Sequence, residues 1–423
     1  MTNAQSGMWI VPQLEPSWVA GALFVLLFSG PPSLRLRDPE ASVQGIIDPT
    51  VIVQVSVWVG AGIWTLFQLR KELRKPDPLR MSLPVKFGLA MICLLCLSIF
   101  VSEAPPLTAF KVGQMLVSFL FSLIFVHRHG IAKCLDYILF GSAALCVAIA
   151  ICAFAIPDLV LFSTDDGMRL RGDPIAVAGI VVTYAMILLL VERRRILDVI
   201  FWPLFVLLCA VLAFSLTRQA WFLVLAFYVL YFVRRLKSGF VRTLGFILLS
   251  VIPFIFLFYI LPAADQFRPA DTVGTLTGRT DLWVYLVGVT VARSPWIGLG
   301  YFSASRILGP DFNPGMGTAH SMFVEVFLGG GLLSLIPLVV LCLLLSYKAL
   351  QLLLKGRTQL EFTCGALFIV TLALGAMGGD IGYGEVGVTF WSLVAAIPAM
   401  RVGKSMPWGI VSSATRLKPC GTA

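Results

Sequence analysis

The feature that most constrains this chain is the recurrence of apolar runs close to the length of a bilayer crossing. They lie near Trp18 to Phe28, Val51 to Leu69, Phe87 to Val101, Leu107 to Val126, Tyr137 to Ile156 and Pro174 to Val191, then Val199 to Ser215, Trp221 to Val233, Leu244 to Leu261, Met322 to Ser346, Phe362 to Met377 and Val388 to Met400. Lipid offers no water to backbone polar groups, so each run must satisfy its own, as a helix does. The predicted class is all-α: a polytopic membrane bundle of about twelve transmembrane helices. At 58% hydrophobic and 13% charged residues, the 423-residue chain holds far more apolar sequence than one soluble core requires. Residues 1–423 read as a single membrane domain, with residues 262–321 as a long outer loop.

Connecting segments alternate between strongly basic and nearly uncharged or mixed. The basic set is Arg70 to Arg80, His127 to Lys133, Glu192 to Arg195, Arg234 to Arg242, Lys355 to Arg357 and the tail from Arg401, and it holds most of the 32 lysines and arginines. These segments fall on one side of the alternation, which marks that side and both termini as cytoplasmic. The formal charge of +10 is thereby explained without nucleic acid as a partner. The N-terminus lacks a basic n-region and a cleavage site, so no cleaved signal peptide is expected.

The nine cysteines fall in apolar runs or cytoplasmic segments, so no disulfide framework is expected. Cys93 and Cys96 form a CxxC, but inside a span without histidine or polar neighbours, where packing outweighs metal or redox chemistry. No HExxH, GxSxG, P-loop or dinucleotide fingerprint occurs in a fitting context, which leaves protease, esterase, ATPase and dinucleotide readings without support.

The chemistry-bearing residues collect at the outer side. Arg169 and Arg171 precede one span, Arg218 lies between two, and Arg279 follows the polar TLTG of the long loop. Each taken alone reads as an interfacial anchor or as a partner of Asp173 or Asp281. Together, beside helix starts, their guanidinium forks match a diphosphate ester. His320 is the one outer histidine; it suits a general base for a sugar hydroxyl, or equally a cap for the helix that follows. Glu325, a turn inside that helix, is an ionisable group in lipid territory that would orient the histidine or replace it. The run DLWVYLVGVTVA after Arg279 reads as a helix in the interface plane rather than a thirteenth span. Asp165 and Asp166 suit a divalent cation chemically, although a solvated turn is the simpler reading. A permease or flippase for a polysaccharide precursor is the alternative function; it would put ionisable groups at mid-span, and apart from Lys111 they gather at one edge.

The order and spacing of RLRGDP, SLTRQAW, TGRTDLW, SPWIGLGYFSA and AHSMFVEVFLGGGLL resembles the O-antigen ligase and polymerase superfamily. The resemblance implies a fold like that of other polytopic glycosyltransferases with an outer active site. The implied activity is inverting, metal-independent and cofactor-free transfer of an undecaprenyl-diphosphate-linked glycan to a glycan or lipid-linked acceptor. It also implies a bacterial inner-membrane location with the site facing the periplasm. On the matching residues, Arg218 and Arg279 would hold the diphosphate and His320 would activate the acceptor. Polymerase and ligase both fit, and a chain-length regulator or polysaccharide assembly proteins are compatible partners.

In a cysteine-free background, one cysteine placed within Glu192 to Arg195 is expected to be closed to an impermeant thiol reagent applied outside, and one at Asp311 open. Outside labelling of the first would overturn the topology.

Overall fold

The computed structural model describes residues 18–29, 49–74, 81–164, 167–170, 172–191, 200–215, 217–235, 279–312 and 317–400. The apolar runs within them are helices: α1 (Trp18–Ser29), α2 (Pro49–Leu73), α3 (Leu83–Leu97), α4 (Pro105–Ala155), α5 (Gly172–Val191), α6 (Phe201–Ser215) and α7 (Arg218–Arg235). After the long loop's α8 (Arg279–Arg293) and α9 (Ser303–Phe312) come α10 (Met322–Lys355), α11 (Gln359–Met377) and α12 (Gly384–Ala396). Among the described residues five helices are long and apolar enough to cross a membrane, and five further apolar helices are shorter. The run Leu244 to Leu261 lies outside the described residues.

At 51 residues α4 would be roughly 76 Å long if straight, more than twice a bilayer core of about 30 Å. It is two helices joined at Gly130, whose φ of 77° and ψ of 161° break the spiral inside the basic HRHG turn. The chain doubles back there: the rings of Phe125 and Tyr137, twelve residues apart, meet at 5.7 Å, and Phe24 of α1 packs against both. Around this hairpin α1, α2, α5 and α12 assemble, while α10 packs between α3 and α11. The start of α11 is set locally: in TQLE the Thr358 hydroxyl accepts from Glu361 N and the Glu361 carboxylate accepts from Thr358 N, a reciprocal capping box.

Two readings are corrected. The all-α class needs one addition: the segment around Arg169 carries a short antiparallel hairpin, β1 (Leu161–Thr164) and β2 (Gly167–Leu170), with Phe162 opposite Arg169, in an otherwise helical structure. The Gly- and Pro-rich stretch from Leu308 to His320 reads from the sequence as ordered loop, but its first residues continue α9 through Gly309 and Pro310. The buried side chains Ala304 and Leu308 of α9 join Leu282 and Leu286 of α8, Ala319 and Leu328 in a small apolar cluster of their own. That burial outweighs the local preference of two breaker residues.

The long loop is fastened to α10 through backbone. Helix α10 breaks at Gly331 (φ 59°, ψ −159°), and the segment from Pro295 to Gly300 lies against the break. Leu299 N donates to Leu328 O at 2.7 Å, Leu332 N to Pro295 O at 2.9 Å and Leu333 N to Trp296 O at 3.2 Å. Groups freed by the broken spiral are thus paired by protein, the condition for irregular backbone at such depth. The approach requires glycine: a Cβ on Gly331 would lie 2.3 Å from the Trp296 carbonyl carbon, and one on Gly298 2.6 Å from the backbone of residues 328–330.

The basic turns meet one another at one end of the bundle. Arg128 donates to Gln68 and lies 3.3 Å from Glu72, Arg234 donates to Gly356 O at 2.9 Å, and Gln359 donates to Val191 O at 2.9 Å. The other end gathers the weakly charged segments: the hydroxyls of Ser102, Thr108 and Ser303 stand 2.8 Å apart, and Arg293 meets Glu103 at 3.0 Å.

Gly331→Ala is expected to lower the thermal stability of the detergent-solubilised protein by at least about 2 kcal/mol, because glycine-only backbone alone costs about 1–3 kcal/mol elsewhere. Gly288→Ala, where a Cβ on α8 meets nothing within 4 Å, should be neutral or stabilising by about 0.5–1 kcal/mol. Equal thermal shifts for the two would refute the docking argument.

Candidate active site

Helix α8 begins at Arg279 and turns its apolar stripe, Leu282, Leu286 and Thr290, toward the bundle. At 15 residues it is about 22 Å long, too short for a straight crossing. Arg279, half-buried at its first turn, donates from one guanidinium nitrogen to Met377 O at the end of α11. It also lies against Gly378, where a Cβ would come within 3.4 Å of the guanidinium and 3.1 Å of the Gln219 amide. Gln219 is the second residue of α7, so the N-terminal turns of α7 and α8 converge on one point. Among the described residues no carboxylate comes within ion-pair distance of Arg279, and Asp281 is exposed. Burial pushes the guanidinium below its usual range, the sign of a cation short of counter-charge.

Near enough to feel its charge is His320, one of two described non-glycine residues with positive φ, at 52°. It does not cap α10: the N-cap is Ser321, and the His320 Nε2 meets the Thr318 hydroxyl at 3.1 Å. Burial, and after it the charge of Arg279, push the imidazole down from 6.5 to about 4. The peptide before it is held on both sides. The Trp283 indole N–H donates to Ala319 O at 2.6 Å, and Ala319 N donates to Glu325 Oε1 at 2.6 Å. Glu325 Oε2 accepts from the Ser305 hydroxyl at 3.0 Å, so both carboxylate oxygens of this buried residue are engaged.

Farther along the same end, the buried Tyr301 hydroxyl donates to Asp380 Oδ1 at 2.6 Å, and Gly382 N donates to the same oxygen at 2.9 Å. Burial raises the Asp380 carboxyl above its usual range, and burial together with the Asp380 charge drives the Tyr301 phenol well above its own. The Lys111 ammonium lies 4.0 Å from the Tyr383 ring centroid and 4.5 Å from that of Phe302. Sequence reasoning missed Tyr301, Asp380, Gln219 and Trp283 as parts of the site. Nothing in GYF, GGD, RQAW or DLW distinguishes those residues before the segments meet.

Of the other expected site residues, Arg169 lies on β2 and Arg218 opens α7, with their side chains outside the described residues. Arg171, Asp165 and Asp166 also lie outside them. The hairpin packs on α6, which ends three residues before Arg218.

Residues 203–339, about a third of the chain, match the family model described as O-antigen ligase. The chain is similar to the O-antigen ligases. The matched ligase segment runs from α6 to the middle of α10 and contains Arg218, Arg279, His320 and Glu325, while Arg169, Arg171 and Asp380 lie beyond it. The motif resemblance and the family match therefore agree on the segment that carries the candidate site, within a multi-pass helical membrane protein. No curated protein matches the chain.

With His127 and His129 replaced by Gln, so that His320 is the one histidine left, its imidazole NMR signal should titrate near pH 4. The sign follows from the environment: burial and a neighbouring cation both disfavour imidazolium, so the neutral form persists well below pH 6.5. Arg279→Gln should move the midpoint upward. A wild-type midpoint at 6.5 would place the ring in solvent.

Proposed function

We propose that the protein is a membrane glycosyltransferase that moves a glycan from undecaprenyl diphosphate to a sugar hydroxyl, as a polysaccharide polymerase or an O-antigen ligase. What supports the reading is a half-buried Arg279 that donates to the Met377 carbonyl, has no carboxylate partner among the described residues, and lies near enough to His320 for its charge to act on the imidazole. A buried cation without counter-charge is an anion site, and convergent helix N-termini add N–H donors to it. A diphosphate ester fits that demand, with Arg218 as the second fork and Arg169 and Arg171 at its rim.

In this reaction the acceptor oxygen attacks the anomeric carbon from the face opposite the leaving group. Its proton passes to His320 as the new C–O bond forms, and the bond to the diphosphate oxygen breaks. The diphosphate departs with its electron pair, and Arg279 and the α7 and α8 N-termini stabilise the charge. An imidazole near 4 is a weak base, but the bound donor answers this: its negative charge offsets Arg279 and raises the proton affinity of His320 only when there is something to react with. The step inverts the anomeric centre and uses no metal.

The same reading takes the whole chain as one membrane domain of about twelve spans, with α8 lying in the interface. The end where the basic turns meet would face the cytoplasm together with both termini, and the end carrying Arg279 and His320 the periplasm. Segregation of the two sets of contacts supports this orientation.

With purified protein and the lipid-linked glycan extracted from producing cells, Arg279→Lys should lose about 10²–10³ in rate, because a point charge does not replace a fork. His320→Ala should bind donor normally and turn over at least about a hundredfold more slowly. Near-normal turnover by His320→Ala would remove the base from the mechanism.

A further inference from the structure

We infer that Trp283 and Glu325 are positioning residues that hold His320 at its working place. This rests on the reading of His320 as the base. Three hydrogen bonds bracket the imidazole along the chain. Ala319 N is fixed by Glu325 at 2.6 Å, Ala319 O by the Trp283 indole at 2.6 Å, and Ser321 O by Glu325 N at 2.8 Å. Between them His320 adopts a φ of 52°, a conformation uncommon for a residue with a side chain and kept only where the surroundings over-determine it.

The carboxylate of Glu325 is arranged for this task. One oxygen takes a peptide N–H and the other the Ser305 hydroxyl of α9, and the residue is 2% exposed. A carboxylate so engaged acts as a fixed acceptor, and a shuttle that released its peptide partner would free the loop it holds. The indole adds a link between the two halves of the site. Trp283 follows Arg279 by four residues, one turn along the same face of α8, so the helix that presents the guanidinium also anchors the peptide preceding the imidazole. The spacing between anion contact and base is thereby set by one rigid element instead of by the segment 317–321 alone.

The roles separate by kinetics, since a base displaced by about 1 Å costs on the order of 10² in rate without weakening a donor held elsewhere. In the purified full chain, with the lipid-linked glycan extracted from producing cells, Trp283→Phe keeps the ring and deletes the N–H donor. It should lower kcat at least about tenfold and leave the donor KM within about threefold. Glu325→Ala should lose at least as much, and Glu325→Gln, which retains an acceptor oxygen for Ala319 N–H, should recover most of that loss. In the single-histidine chain, Trp283→Phe should shift the His320 signal toward that of a solvated imidazole, an effect visible without turnover. Glu325→Gln as inactive as Glu325→Ala would make the carboxylate a proton carrier and overturn its positioning role. An unchanged kcat and imidazole signal in Trp283→Phe would overturn the anchor. Both results are distinct from failure of the underlying reading, which full turnover by His320→Ala would report.

Discussion

The site depends on one backbone contact, the seating of Pro295 to Gly300 in the break of α10 at Gly331. Opening a helix at membrane depth leaves peptide groups that lipid cannot satisfy, and here a second strand of backbone supplies their partners. It comes close enough only because Gly298 and Gly331 carry no Cβ. From this contact the loop leads directly into Tyr301, Phe302 and α9, and α8 is packed back against α10 through Leu282, Leu286 and Leu328. A loop joined only by its ends would leave the distance between Arg279 and His320 unfixed.

With that frame in place, the polar groups at this end sort into two kinds. Glu325 and Tyr301 are buried and engaged by protein, while Asp380 accepts twice at Oδ1 and its Oδ2 has no hydrogen-bond partner among the described residues. Arg279 has a carbonyl for one of its N–H groups and no described carboxylate, and His320 has only a hydroxyl as a side-chain partner. A half-buried cation with no carboxylate partner among the described residues, close to a histidine whose proton affinity is lowered, marks this end as the candidate site. On the proposed reading, the Arg279 charge that lowers the proton affinity of His320 is the one a bound diphosphate would neutralise.

Much of this was legible from the chain. Apolar runs of spanning length must be helices because water is absent from lipid, and most of the described runs are helices within a few residues of their expected ends, although α10 continues nine residues beyond Ser346; the break at Gly130 falls inside the basic HRHG turn. Arg279 and His320 stand out because basic residues and histidines are scarce along the connecting segments between the basic turns, and α8 was readable from its acidic first turn and apolar repeat. The hairpin at Arg169 and the helix α9 were not legible. Four-residue strands carry little periodicity, and Gly309 and Pro310 argue against a helix until Leu308 is seen to be buried.

What the sequence determined by itself is therefore the membrane class, the positions of the described apolar helices and the residue types available for chemistry, since these follow from local composition and the physics of a lipid solvent. Tertiary structure alone decided which of those residues meet. The carbonyl of Met377 against Arg279, the indole of Trp283 on Ala319 and the hydroxyl of Tyr301 on Asp380 join positions 98, 36 and 79 residues apart. No local pattern encodes such pairings, because they exist only once a glycine-lined break lets the long loop close onto the bundle.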